Sequence, residues 1–105
     1  MKFTRPDIVA IGRTAPGKLV WLEQGTPDSG LTHILDHAAE FADKGIAAEN
    51  IPDLVITAAT KGAEVGRIGA GGAVYETVFQ GQRIWVVVVV ASNGYIVTSY
   101  PISWP

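Results

Sequence analysis

The sequence predicts an α+β fold with helices packed on an antiparallel sheet. Three observations carry that expectation. The element signals run strand, helix, helix and then strands, an order that segregates helices from a meander instead of alternating the two. Asn93-Gly94 lies between two β-rich runs, a strong hairpin signal. Val86 to Val90 are five consecutive valines without polar alternation, so their strand has to be covered on both faces and therefore lie centrally. The 105 residues suffice for one domain, 1–105. With 48% hydrophobic and 17% charged residues the chain can bury a core, and whole-chain disorder is not expected.

Each element has its own warrant. Residues 1–17 carry two prolines and two glycines in mixed polarity and are expected to be a loosely structured entry. Lys18 to Gly25 is apolar and ends at a glycine, which predicts a short strand. "TPDSG" at 26–30 is turn chemistry. A helix is expected over Leu31 to Lys44, with Ser29 as N-cap and Gly45 as its stop. Its apolar stripe is Leu31, Ile34, Leu35, Ala38, Phe41 and Ala42, whereas His33, His37, Glu40 and Lys44 form a separate polar stripe. A second helix over Pro52 to Lys61 would start near Asn50, bury Ile51, Leu54, Val55, Ala58 and Ala59, and stop at Gly62. "GAEVGRIGAGGA" at 62–73 holds five of the twelve glycines and reads as a flexible loop. The remainder reads as a β-meander: "AVYETVF", the turn "QGQ", "RIWVVVVVA", the turn "SNG" and "YIVTSY".

Composition narrows the function classes. A net charge of −2 argues against strong non-specific nucleic-acid binding, leaves room for a local basic cleft, and suits a protein partner. There is no cysteine, which removes disulfides and thiolate metal sites. The opening "MKFTRPDIVA" lacks the apolar core of a secretory leader. The longest apolar run, 84–91, is far short of the about 20 residues a membrane-spanning helix needs, so no membrane anchoring is expected of this domain.

His33 and His37 are the two histidines of the chain, and both fall on one helix, four residues apart. Three readings stand beside each other. Imidazoles at this spacing can clip a metal, but a zinc site needs further ligands, the chain has no third His, and the segment is not HExxH, so no metal or other cofactor is expected. They can be solvated helix-surface residues. They can also be a proton-transfer pair, the task for which His suits neutral pH.

"GRIGAGG" matches neither dinucleotide nor P-loop spacing, and a strand comes after it where those motifs require a helix. Arg67 in that loop is a candidate phosphate contact, with a solvated loop arginine as the alternative. Lys61 is a candidate oxyanion stabiliser or simply a helix-dipole lysine. On the last strand Ile96, Thr98 and Tyr100 are expected on one face and Tyr95, Val97 and Ser99 on the other, so Thr98 and Tyr100 present two hydroxyls in line. Glu23, at a strand end, suits a general base or a plain surface carboxylate. Two histidines, a lysine, an arginine and hydroxyls fit metal-independent RNA cleavage by the RNA's own 2′-OH.

The segments "WLEQG", "GLTHILDHAAEFADKGI", "IPDLVITAATKG" and "YETVFQGQRIWVVVVVASNGYIVTSYP" resemble the C-terminal toxin domains of bacterial polymorphic and contact-dependent growth inhibition systems. Within these, the chain is similar to the barnase–EndoU–colicin–RelE (BECR) ribonucleases over about residues 20–101. The resemblance implies N-terminal helices packed on a twisted antiparallel sheet of four to five strands. It implies a metal-free ribonuclease, often acting on tRNA, carried at the tip of a large secreted or cell-surface protein and delivered into the target-cell cytoplasm. A cognate immunity protein would neutralise it. Position by position, His33 and His37 match the family's histidines, and Thr98 and Tyr100 fall in its last-strand motif. Lys61 and Arg67 lie where the family varies, and Lys44, on the histidine stripe, is expected to bind substrate. The chain departs from the pattern at Ala38, at Ala73-Val74 before the Tyr75 strand, and in its acidic charge. A non-catalytic, immunity-like protein-binding module is the alternative from another class, and a zinc-dependent hydrolase a third.

Overall fold

The computed structural model describes residues 8–14, 16–69 and 71–104. Its elements are β1 (Ile8–Arg13), β2 (Leu19–Glu23), α1 (Leu31–Ile34), a 3-10 turn (Leu35–His37), α2 (Ala38–Asp43), a second 3-10 turn (Ala48–Asn50), α3 (Ile51–Lys61), β3 (Ala63–Ile68), β4 (Gly72–Phe79), β5 (Gln82–Val90) and β6 (Ile96–Ile102). Strands β3-β4-β5-β6 form one antiparallel sheet in that order, and β1 pairs antiparallel with β2 in a second, two-stranded sheet. The class is α+β, as expected. The helices do not open the chain, however; they come after the β1–β2 hairpin. Residues 8–13 of the expected loose entry are a strand, and 1–7 lie outside the described residues. Pairing with β2 and packing of Gly12 against Ile56 and Thr60 of α3 hold that strand; the β-branched Ile8, Val9 and Ile11 ahead of Pro16-Gly17 are the local signal for the pairing, whereas the contact with α3 has none.

The core lies between α3, β2 and one face of the large sheet. Ile51, Leu54, Val55, Ala58 and Ala59 are buried along α3, the stripe its sequence predicts. They meet Ile84, Val86 and Val88 of β5 and Ile96 of β6. Burying each such aliphatic side chain is worth roughly 1.5–3 kcal/mol relative to exposure. Val87, on the opposite face of β5, is also fully buried, so the central-strand expectation holds. On that opposite face Trp104 lies over Gly66 of β3, where a Cβ would come within 2.5 Å of the indole. β2 is tied to the far end of β6: the Trp21 amide donates to the Gly94 carbonyl at 3.0 Å, and Trp21 bridges in parallel to Tyr95.

Three local expectations change. The helix predicted over 31–44 is broken by the 3-10 turn at 35–37. A 3-10 residue advances about 120° where an α-residue advances about 100°, so three of them rotate α2 by roughly 60°. Leu31, Ile34 and Phe41 stay buried, but Leu35 and Ala42 leave the stripe and are exposed. Gly30 occupies the N-cap position, not Ser29, with no side-chain cap. The stop is as expected: Gly45 has φ +82°, its amide donates to Ala42, and the Ile46 amide donates to Phe41, a Schellman ending.

The glycine-rich 62–73 segment is not a loop. It is β3, a turn around Gly69 and Gly71, and the start of β4. Interior glycine costs a strand only about 0.5–1 kcal/mol, which pairing along β4 outweighs. The face assignment on β6 also shifts. β6 pairs Val89 with Thr98 but Val90 with Ile96, so Val97 is an extra residue that breaks the period of two. Ile96 therefore joins the core, while Thr98 and Tyr100, opposite Val89 and Val87, face the other side.

Gly94 is the position where the hairpin signal and tertiary packing coincide. Its φ is +105°, and a Cβ there would lie 2.2 Å from the Leu19 carbonyl oxygen. Gly94→Ala is expected to lower the unfolding free energy by more than about 1 kcal/mol. Gly17→Ala, at φ +93° with nothing within 4 Å, should cost less. Urea denaturation of both variants checks the difference; equal losses would mean that strain alone, and not the Leu19 contact, governs Gly94.

Candidate functional site

The histidine-bearing segment lies along β6, an edge of the four-stranded sheet. The Gly30 amide donates to the Val97 carbonyl at 2.9 Å and fixes where the segment begins. His33 and His37 keep 31% and 29% side-chain exposure, so they are neither core residues nor freely solvated ones. Their rings meet edge to face with centroids 6.1 Å apart. The His37 ring lies against Tyr100 at 5.3 Å with a 32° tilt. The structure thus brings His33, His37 and Tyr100 into one row.

Each imidazole is held by Nδ1. His33 Nδ1 donates to the Pro27 carbonyl at 3.0 Å, and His37 Nδ1 donates to Glu40 Oε2 at 2.5 Å. Both partners only accept, so both neutral rings carry the proton on Nδ1 and present Nε2 as a lone pair. Neither Nε2 makes a hydrogen bond among the described residues. Asp36 approaches His33 at 4.0 Å from an exposed position. Beyond Glu40 a shallow cleft of about 320 Å³ is lined by Glu40, Asp43, Lys44, Pro101, Ile102 and Ser103. Lys44 Nζ donates to Ser103 Oγ at 3.1 Å, which ties the helix end to the strand end. Among the described residues, no three His, Asp or Glu side chains converge as a metal-ligand set.

The other predicted residues divide. Thr98 lies two residues from Tyr100 on the same face, and its Oγ1 is buried with no hydrogen-bond partner among the described residues. Lys61 and Arg67 are not brought to the histidines. Lys61 ends α3, which runs straight into β3, and Arg67 is on β3 itself. β3 is the edge opposite β6, three strand spacings or about 14 Å across the sheet. Arg67 is no mobile-loop guanidinium: strand pairing with Ala73 holds its backbone, and it pairs with Glu64 at 3.5 Å. Glu23 accepts from Trp21 Nε1 at 2.8 Å, which gives that carboxylate a structural occupation.

Sequence reasoning places Glu40 on the histidine stripe but not as the partner of His37, although three-residue helical spacing carries that signal. It misses Pro27, which acts through its backbone, and Tyr95, whose hydroxyl meets Ser29 Oγ at 2.9 Å across 66 residues of chain.

On β4, opposite Glu64 of β3, Tyr75 is a perturbed group. Burial pushes the Tyr75 phenol above its ordinary value, Glu64 adds to the rise, and Arg67 offsets part of it. The folded state therefore favours neutral Tyr75, a stabilisation fully present below about pH 10. Above that the unfolded chain loses the proton first, and stability falls as pH climbs through the folded value. Tyr75→Phe should flatten this part of the alkaline stability loss, read as the change in urea midpoint between about pH 9 and pH 11. An unchanged slope would contradict it.

Compared with known proteins, the chain matches no family model and no curated protein.

Proposed function

We propose that the chain is a metal-independent endoribonuclease, the toxin domain of a bacterial polymorphic or contact-dependent inhibition system of the barnase–EndoU–colicin–RelE kind. The observation that carries this is the His33–His37 pair: two Nδ1-anchored imidazoles whose Nε2 atoms are unengaged among the described residues, partly exposed beside the Tyr100 ring. One Nε2 takes the proton of a ribose 2′-OH as the 2′ oxygen attacks phosphorus. The other, as imidazolium, protonates the departing 5′ oxygen as the P–O5′ bond breaks. The products are a 2′,3′-cyclic phosphate and a 5′-hydroxyl. The Tyr100 hydroxyl, whose ring lies against His37, and Lys44, in the cleft beyond Glu40, are the groups assigned to offset charge on the phosphorane. Thr98, with its hydroxyl buried on the Tyr100 face, does not reach the phosphate in this arrangement and is left out of the catalytic group. Lys61 and Arg67, on the far edge, are left out of the catalytic group.

This reading makes RNA, with tRNA as the favoured class, the substrate, a cognate immunity protein the partner, and the target-cell cytoplasm the place of action. A second reading has its own support. Asp36, Glu40 and Asp43 place carboxylates around the histidines, an unfavourable field for a polyanion and a suitable one for a basic protein surface. In that reading the chain is a non-catalytic, immunity-like binding module.

Purified protein is expected to cleave total RNA in EDTA and leave 2′,3′-cyclic ends. His33→Ala and His37→Ala should each reduce cleavage about 100-fold or more, whereas Lys61→Ala and Arg67→Ala stay within about threefold, because screening weakens a charge about 14 Å away. Sequencing of fragment ends checks all four. Wild-type protein inert on RNA, together with a tight complex with a basic protein, would favour the binding module.

A further inference from the structure

Ser29 does not cap the helix that its position predicts. Its hydroxyl lies 2.9 Å from that of Tyr95, a contact between the turn at 26–29 and the β5–β6 hairpin. The turn is otherwise closed on itself. The Thr26 amide donates to the Ser29 carbonyl at 2.8 Å, the Ser29 amide to the Thr26 carbonyl at 3.3 Å, and the Asp28 amide to Thr26 Oγ1 at 3.1 Å. Pro27 sits inside this small ring, and its carbonyl is the acceptor for His33 Nδ1. Tyr95 is itself well anchored: its amide donates to Asn93 Oδ1 at 3.1 Å, and its ring stands edge-on to buried Trp21 at 6.5 Å.

We infer that Tyr95 is a positioning residue for His33, acting through Ser29 and the Pro27 carbonyl to keep the His33 proton on Nδ1 and its Nε2 lone pair toward the RNA. The inference rests on the ribonuclease reading for its consequence, but not for its geometry. The closed turn moves as one body, so where the Ser29 hydroxyl is pinned decides where the Pro27 carbonyl points. Without the pin the turn keeps its own three bonds and the Gly30–Val97 bond at its end, but the Ser29 side chain loses its tie to the hairpin and the turn can pivot about Gly30, which loosens the direction of the Pro27 carbonyl toward the ring. Solvent then competes for Nδ1, and a free imidazole prefers the tautomer protonated on Nε2, which is the wrong one for a base at that nitrogen. Gly30 is needed for the same approach: a Cβ there would lie 3.0 Å from the Tyr95 hydroxyl.

The test uses Tyr95→Phe, which keeps the ring against Trp21, together with Ser29→Ala, Ser29→Thr and the Tyr95→Phe/Ser29→Ala pair. Long-range nitrogen–proton NMR of the intact chain reads the His33 tautomer directly. Wild type and Ser29→Thr are expected to show Nδ1–H, and both hydroxyl deletions a mixture shifted toward Nε2–H, with the double variant no worse than either single one. His37, held by Glu40, should not change. On RNA the deletions should lower kcat about tenfold, a part of what general acid–base catalysis supplies, with KM nearly constant. A His33 tautomer unchanged in both deletions overturns the proposal whatever the RNA result. The expected tautomer shift in a chain inert on RNA supports the tether and retires the ribonuclease reading alone.

Discussion

The arrangement depends on burying β5 from both sides. A run of valines has no polar face to offer water, so the strand is stable only with partners along both edges and cover above and below. β4 and β6 take the edges. α3 and β2 cover the side of Val86 and Val88, while Val87 points to the side where Trp104 crosses back to Gly66. Once β5 is central, β6 is an edge strand, and the open flank of β6 is where the histidine segment comes to lie. The core thus decides the place of the candidate site without contributing a reactive group to it.

The histidine row is a product of two irregularities. The 3-10 turn at 35–37 rotates the second half of the segment, and the extra residue at Val97 turns Thr98 and Tyr100 away from the core face. A continuous helix beside a regular strand would have kept Leu35 and Ala42 on the buried stripe and Tyr100 on the same face as Ile96. With both irregularities, His37 rests on Tyr100 and His33 stands beside His37. Bulges and helix breaks re-aim side chains in this way, and here they bring His33, His37 and Tyr100 into one row.

Charge separates the site from the rest of the surface. Arg67 and Glu64 pair on one edge of the sheet, Arg83 and Glu76 pair between β5 and β4, and the histidine edge carries Asp36, Glu40 and Asp43 against Lys44. Among the described residues, Arg67 and Arg83 are thus each matched by a carboxylate away from the histidines. Under the proposed ribonuclease reading, such a site would gain little from phosphate attraction and would rely on the positions of its two imidazoles, which the Nδ1 partners of His33 and His37 set.

What the sequence determined by itself is what short-range periodicity controls: the α+β class, the buried face of α3, the Gly45 ending, the Asn93-Gly94 hairpin, the central valine strand, and the presence of both histidines on one polar stripe. Leu54 or Gly45 acts through neighbours within a turn or two, so the pattern is complete locally. Tertiary structure decided the rest. β1 and β3 are strands because each pairs with the next strand of its own hairpin, β2 and β4, and β1 also packs through Gly12 on α3; for β3 this outweighs the weak propensity of a glycine-bearing sequence. Lys61 and Arg67 fall on the edge away from the histidines because strand order, which no local pattern encodes, puts β3 and β6 at opposite ends. The Tyr95 hydroxyl meets Ser29 only after hairpin and turn have docked on the same core, since a contact spanning 66 residues is settled by how the whole chain packs.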